Sequence, residues 1–311
     1  MEEKIVQLIK DSKHIVIASH INPDADTLGS MLGLGAAIKK ISKKITFFNP
    51  SKKLPKRFDF FYGFKKIKDK LPDRFDLLIC VDCASFDRTS IKKSDFQIIN
   101  FDHHKTNTLF GDINIVKGDY ASCSMVILEF LEKSKLDINK ECATALYSAL
   151  VEDSGFFKYE RVDEKTFQAA QKLIIYGANP NKIATLLTQR ESLAKLRLLQ
   201  IYLNNIDLKK NATVCISKIT VEDFEKTGAS ISDSDSFVQI GLSLATVRLS
   251  IFMYELDKEM VKVSLRSKEG IDCSLIALEY GGGGHAKAAG FTANLKDIND
   301  IIVNILKKVN I

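Results

Sequence analysis

The fold is decided by Phe96-Gln97-Ile98-Ile99-Asn100-Phe101-Asp102-His103-His104. Its apolar residues read as a strand, and the strand ends in an acid and two adjacent histidines. Strand stability gives no reason for Asp-His-His in that place. An open α/β sheet keeps its ligands there, just past the carboxyl ends of its strands. Paired histidines beside an aspartate are metal-ligand chemistry.

Upstream, residues 14–19 form a continuous branched-apolar run, which suits a parallel strand covered on both faces. His20-Ile21-Asn22-Pro23-Asp24-Ala25-Asp26-Thr27-Leu28-Gly29-Ser30 follows, and Leu28, Met31, Leu32 and Ile38 have helical spacing. This predicts a strand-to-helix loop holding His20, Asp24 and Asp26. An Asp-x-Asp alone is more often a helix N-cap, but a histidine four residues earlier in the same loop favours ligation. Residues 45–49 and 75–82 read as further strands, the second ending in Asp82. One acid at a strand end caps a turn; three successive strands ending in ligand-type residues ask for more.

Downstream, helical patterns at 121–133 and 139–151 run into Glu152-Asp153-Ser154-Gly155-Phe156, where Gly155 is a natural helix stop. Helical stretches near 163–177, 180–189 and 191–206 carry no strand pattern. A second unit starts near 210. It has a strand over 212–218, a helix over 236–245, a hairpin pairing 247–256 with 261–267, and a helix over 296–309. Gly281-Gly282-Gly283-Gly284-His285 interrupts it. The predicted fold is α/β. A larger N-terminal domain (1–188) has a mainly parallel sheet flanked by helices, and a helical connector (189–209) leads to a smaller C-terminal α/β domain (210–311) with a mixed sheet. The active site is expected in the cleft between the two.

Of 311 residues, 45% are apolar and 27% charged, which supports two cores and excludes a disordered chain. No apolar run approaches the roughly 20 residues of a membrane span. Met1-Glu2-Glu3-Lys4 is a charged helix start rather than a signal peptide, so the expected setting is cytoplasmic with no membrane partner. Cys80, Cys83, Cys123, Cys142, Cys215 and Cys273 sit mostly in apolar context. Cys80-x-x-Cys83 has no second pair to complete a zinc set, and all six read as reduced core thiols. The net charge of +6 is uneven. Residues 39–74 hold thirteen Lys or Arg against Asp59, Asp69 and Asp73, a face that would attract phosphates, although most such lysines decorate solvated loops.

His20, Asp24, Asp26, Asp82, His103 and Asp153, with Asp102 and His104 beside them, offer too many N and O ligands for one tetrahedral zinc. The number suits two adjacent ions sharing a bridging carboxylate. Mn²⁺ fits the mixed His/carboxylate set, with Mg²⁺ or Co²⁺ as substitutes. Two ions roughly 3.5–4 Å apart suit phosphoryl chemistry, with a shared water acidified to hydroxide and aimed at phosphorus. No nucleophilic side chain is then needed. The four glycines can turn consecutive N–H groups toward an anion as a phosphate nest. Arg266, ending the strand Val263-Ser264-Leu265-Arg266-Ser267, offers a fork that matches phosphate.

In order and spacing, these residues resemble the DHH phosphoesterase superfamily, in the subgroup that adds a DHH-associated C-terminal domain, the bacterial nanoRNase / oligoribonuclease and pAp-phosphatase group. The matching residues are His20-x-Asn22-Pro23-Asp24-x-Asp26 with Gly29-Ser30, Asp82, Asp102-His103-His104, and Asp153-Ser154-Gly155-x-Phe157. In the C-terminal part they are Ser264-Leu265-Arg266-Ser267 and Gly281-Gly282-Gly283-Gly284-His285 with Ala288-Ala289-Gly290. The resemblance implies that His20 and Asp24 hold one Mn²⁺, and that Asp26, His103 and Asp153 hold the other, with Asp82 bridging. His104 would contact the scissile phosphate and Asp102 would orient the histidines. Arg266, Ser267, Gly281, Gly282, Gly283, Gly284 and His285 would grip the terminal nucleotide. Ser154 stands where the group often has Thr, and Lys158 near where it often has Arg.

The implied activity is a Mn²⁺-dependent phosphodiesterase that cuts short oligonucleotides to nucleoside 5′-monophosphates and converts pAp to AMP. Its partners are then short oligonucleotides, dinucleotides and pAp, with a homodimer as the assembly to test. The alternative is hydrolysis of c-di-AMP or pApA. A family-type pyrophosphatase calls for a Ser-Arg-Lys motif without the glycine run, and a RecJ-type single-strand exonuclease carries further domains for which this chain is short. A non-catalytic nucleotide sensor would show a broken ligand set.

Overall fold

Three strands whose every residue but one is buried form the centre of the first sheet: β1 (Ile15–Ala18), β3 (Leu77–Val81) and β4 (Gln97–Asp102). Continuous Ile, Val and Leu runs need cover on both faces, and parallel crossovers supply it. Their neighbours β2 (Ile45–Phe48) and β5 (Ile113–Val116) are half-buried edges, and the order β2-β1-β3-β4-β5 is parallel throughout. The helices of this unit are α1 (Glu2–Asp11), α2 (Ala25–Ile38), α3 (Cys123–Lys133), α4 (Lys140–Asp153), α5 (Glu164–Ile175) and α6 (Pro180–Thr188). The computed structural model describes residues 1–268 and 270–309.

Two corrections apply here. β5 was not expected; its Ile-Asn-Ile-Val is a short edge strand with every position half-buried, too weak a pattern to stand out. Asp26 lies inside the first turn of α2 rather than in the loop, and Asp24 is the helix N-cap, accepting from Thr27 N at 2.9 Å. Cap and candidate ligand are one residue.

α2 and α4 pack closely because glycines face the contact. A Cβ on Gly29 would lie 2.6 Å from the Ala145 carbonyl oxygen, and one on Gly33 would lie 2.8 Å from Leu146. α4 then stops in a Schellman turn: Gly155, at φ 59°, donates to Glu152 O, and Phe156 N donates to Val151 O. Asp153 is the last helical residue.

The chain divides at Arg190, and the second unit, Glu191–Ile311, has its own cores. It contains α7 (Leu193–Asn204), β6 (Asp207–Lys209), β7 (Val214–Ile219), α8 (Val221–Thr227), α9 (Phe237–Leu242), β8 (Leu249–Glu255), β9 (Met260–Ser267), α10 (Cys273–Glu279), β10 (Gly283–His285), β11 (Ala288–Asn294) and α11 (Ile298–Lys308). The mixed sheet runs β10-β11-β9-β8-β7-β6. The 189–209 stretch expected as a connector carries α7 and β6. Leu198 and Tyr202 of α7 are buried against Ile219, Phe237 and Phe252, and β6 pairs with β7. The sequence reading also missed α8, α10 and the β10–β11 pair, all short. Among the described residues no helix is long and apolar enough to cross a membrane. All six cysteines are free and buried.

Candidate active site

The order β2-β1-β3-β4-β5 reverses between β1 and β3, and a crevice opens at the carboxyl ends of such strands. His20 follows β1, Asp82 follows β3, and His103 and His104 follow β4. The first turn of α2 adds Asp24 and Asp26, and the end of α4 adds Asp153. Two sets able to hold an ion result, His20/Asp24/Asp82 and Asp26/His103/Asp153; Asp82 also groups with His103 and His104.

Asp82 lies between the two sets. Its Oδ2 is 3.5 Å from His20 Nε2 and its Oδ1 is 3.6 Å from His103 Nε2. The residue is 2% exposed, and Oδ1 has no hydrogen-bond partner. A buried carboxylate oxygen without a donor costs free energy unless a cation meets it.

Both imidazoles present lone pairs to the carboxylates. His20 Nδ1 lies 2.7 Å from the Ile21 carbonyl and His103 Nδ1 lies 3.1 Å from the Tyr120 carbonyl. A carbonyl only accepts, which assigns the proton to Nδ1 in each ring and leaves Nε2 bare. His103 Nε2 faces Asp153 at 3.5 Å, Asp82 at 3.6 Å and Asp26 at 3.8 Å. The Thr27 hydroxyl has a single proton, yet it contacts Asp82 Oδ2 at 2.6 Å and both Asp24 Oδ1 and His20 Nε2 at 2.8 Å. The site is rich in acceptors and short of positive charge. Imidazole nitrogens and carboxylate oxygens in this number fit divalent cations.

The pKa shifts point the same way. Burial, then the charges of Asp82, Asp153 and Asp24, push Asp26 well above the ordinary carboxylate range; burial, Asp82, Asp24 and Glu152 do the same to Asp153. Burial also works to raise Asp82, but the close approach of His20 and the charges that His103, His20 and His104 carry when protonated outweigh it and hold Asp82 low. Burial lowers His103. His104 is raised, first by its hydrogen bond to Asp102, and burial opposes this less strongly. Asp102 Oδ1 accepts from His104 Nδ1 at 2.7 Å and from His103 N at 2.8 Å, and Asn107 Nδ2 donates to Oδ2. Asp102 therefore fixes both the ring and the backbone of the histidine pair.

In the second unit, Arg266 of β9 stands opposite Ala288 of β11, and His285 of β10 stands opposite the same Ala288. Directly opposed residues share a face, so Arg266 and His285 flank one small side chain. Ser267 is on the other face. It is buried and its hydroxyl donates to the Ile271 carbonyl at 2.7 Å, so it does not join that row. The expected four-glycine nest is also corrected. The N–H groups of Gly281 and Gly282 donate to Leu278 O and Ala277 O, capping α10, with Gly281 at φ 72°. Gly283 and Gly284 pair with Gly290 and Ala289 as an edge strand.

Several residues of the site were missed in the sequence: Thr27, Asn107, Arg88, Glu152 and Arg57. Arg88 Nη2 lies 3.1 Å from His20 Nδ1. Glu152 accepts from Arg57 Nη2 at 2.8 Å and from Ala25 N at 3.2 Å, at the start of α2. Thr27 and Glu152 could have been found by their adjacency to Asp26 and Asp153; Arg57 carries no local signal.

Comparison with known proteins matches the description "DHH family, N-terminal domain" to residues 14–150 and "DHHA1 domain" to residues 211–310. A Streptococcus mutans protein named "Probable bifunctional oligoribonuclease and PAP phosphatase NrnA" is 30% identical over 97% of this chain and 98% of its own length. The chain belongs to the DHH family. A second relative in this family, the "Bifunctional oligoribonuclease and PAP phosphatase NrnA" of Thermus thermophilus, is 28% identical over 95% of this chain and 89% of its own. Among solved structures, an exopolyphosphatase-related protein from Bacteroides fragilis superposes with a TM-score of 0.91 at 27% identity, covering 99% of this chain and 95% of that one.

Proposed function

We propose that the chain is a divalent-metal phosphodiesterase that cuts very short oligonucleotides to nucleoside 5′-monophosphates and converts pAp to AMP. That it is a hydrolase of phosphate esters follows from its DHH family relatives; substrate and metal are the proposal. The observation that carries it is the pair of His/Asp sets with Asp82 between them, whose buried Oδ1 has no donor. Relatives spanning nearly the full length and named for both activities support the substrate.

In this reading residues 1–188 are catalytic and 210–311 bind substrate. His20 and Asp24 hold one Mn²⁺, Asp26, His103 and Asp153 hold the other, and Asp82 serves both. When bound, such cations lower the pKa of an attacking water and neutralise charge on phosphate oxygens. His104, steered by its hydrogen bond to Asp102, which also raises its pKa, contacts the scissile phosphate. Arg266 and His285 bind a phosphate of the substrate. Free buried thiols fit the reducing cytoplasm.

The test is a side-by-side digest of pAp, pApA, c-di-AMP and a five-nucleotide RNA with Mn²⁺. Release of AMP from pAp and of mononucleotides from the RNA supports the reading; turnover confined to c-di-AMP overturns it.

A further inference from the structure

The segment that leaves β2 returns to the rim of the His/Asp cluster and is fixed there at both ends. Asn49 Nδ2 donates to the His20 carbonyl at 2.8 Å, and Ser51 Oγ accepts from Asn22 N at 2.9 Å. At the far end, Arg57 pairs with Glu152, which itself holds the N-terminal turn of α2. Leu54 packs against the core, Phe58 is 1% exposed, and the Arg57 guanidinium sits 4.4 Å above the Phe58 ring. Between these anchors Lys52, Lys53 and Lys56 are exposed.

The acids on the segment and at its far anchor are matched: Glu152 by Arg57, and Asp59 by Arg190 at 2.7 Å. Elsewhere on this unit some surface lysines have acid partners, such as Lys40 with Asp137 and Lys172 with Glu132, and others among the described residues have none; what sets these three apart is their place on a segment anchored beside His20 and Glu152. Among the described residues, Lys52, Lys53 and Lys56 form no ion pair. Three uncompensated cations on a pinned loop repel one another, and a polyanion relieves that repulsion. Lysine ammonium groups act as point charges and suit contacts to phosphate that ignore base identity.

We propose that Lys52, Lys53 and Lys56 form a track for the phosphates of a single-stranded oligonucleotide, beyond the nucleotide being cleaved. This rests on the functional reading above and adds to it a device by which the first unit favours a short chain over a lone nucleotide. A substrate as small as pAp ends before the track.

The experiment replaces all three, Lys52→Gln, Lys53→Gln and Lys56→Gln, and measures kcat/KM on pAp and on a five-nucleotide RNA from 50 to 300 mM salt. The expected result is a loss on the order of tenfold on the RNA at low salt, with pAp within twofold. The plot of log kcat/KM against log salt should also flatten by about 0.7 for each phosphate that the variant no longer neutralises. An unchanged RNA rate, or an equal loss on pAp, overturns the proposal. Should the triple variant fail to fold, Lys53→Gln alone is read by the same comparison. If the wild-type protein turns over neither substrate, the functional reading fails, and binding of the RNA by fluorescence anisotropy judges the track separately. Weaker binding by the variant supports it, and equal binding sinks it.

Discussion

At Asp82 the backbone enters the left-handed region (φ 56°) directly after β3, held by a 2.9 Å hydrogen bond from its N–H to the Phe101 carbonyl. A non-glycine residue there carries strain of about 1–3 kcal/mol unless its side chain eases it, and aspartate and asparagine tolerate the region best. The turn puts the carboxylate between His20 and His103. Asp82→Asn keeps shape and backbone and removes the charge. Turnover should fall about a thousandfold or more, several kcal/mol of lost charge stabilisation, while the metal-free melting temperature moves by only a few degrees. Equal kcat for variant and wild type would show that Asp82 is not shared between ions. Protonation gives a second expectation. Asp26 and Asp153 have raised pKa values, as do His20 and His104, so the folded metal-free chain holds protons that the unfolded chain gives up. Stability is then lost as pH climbs from the ordinary carboxylate range through the raised values. His103, lowered by burial, opposes this in part. With a chelator present, the melting temperature should be lower at pH 8 than at pH 6. Saturating Mn²⁺ should close that gap, because metal replaces the protons. A chelated protein more stable at pH 8 would contradict it.

Among the elements, α2 joins the site together. Asp24 caps it, Asp26 projects from its first turn, and the Asp26 carboxylate also accepts from Cys123 N at 2.6 Å and Ser124 N at 3.1 Å. It thereby caps α3, whose own N-cap Ser122 makes no such bond. Truncating Asp26 would therefore remove a helix cap as well as a candidate ligand. The α2–α4 contact gives a cleaner test of how spacing sets the chemistry. Gly29→Ala puts a Cβ 2.6 Å from the Ala145 carbonyl oxygen, backbone that gives way only if the helices part. The expected cost is about 1–3 kcal/mol in denaturant unfolding. Mn²⁺ affinity, read by titration, should weaken as Asp153 on α4 moves away from Asp26. Unchanged affinity with lowered stability would mean that the end of α4 does not set the second ion's position.

Over the whole molecule, the chain forms two units with separate cores. Calorimetry should resolve two transitions, and Mn²⁺ should shift one. At a hundredfold excess over its dissociation constant the gain is about 2.7 kcal/mol, confined to the unit carrying the His/Asp cluster. An equal shift of both transitions would place cation binding elsewhere. Arg266, on the second unit, should behave as a binding residue. Arg266→Ala is expected to raise KM with kcat little changed, having removed the grip on a remote phosphate. A loss in kcat alone would bring it into the chemical step.

The sequence by itself determined the local chemistry: apolar runs that had to be buried strands, the acid and imidazole residues at their ends, Gly155 as the stop that leaves Asp153 terminal. These follow from interactions between near neighbours, so they are legible residue by residue. Only the tertiary structure decided that the Thr27 hydroxyl meets Asp82, 55 positions away, that Arg57 meets Glu152, 95 away, and that Asp26 caps a helix 97 away. It also spent two of four glycine N–H groups on the end of α10 and turned Ser267 away from Arg266. Strand register and helix packing set those pairings, and neither leaves a mark on the residues next door.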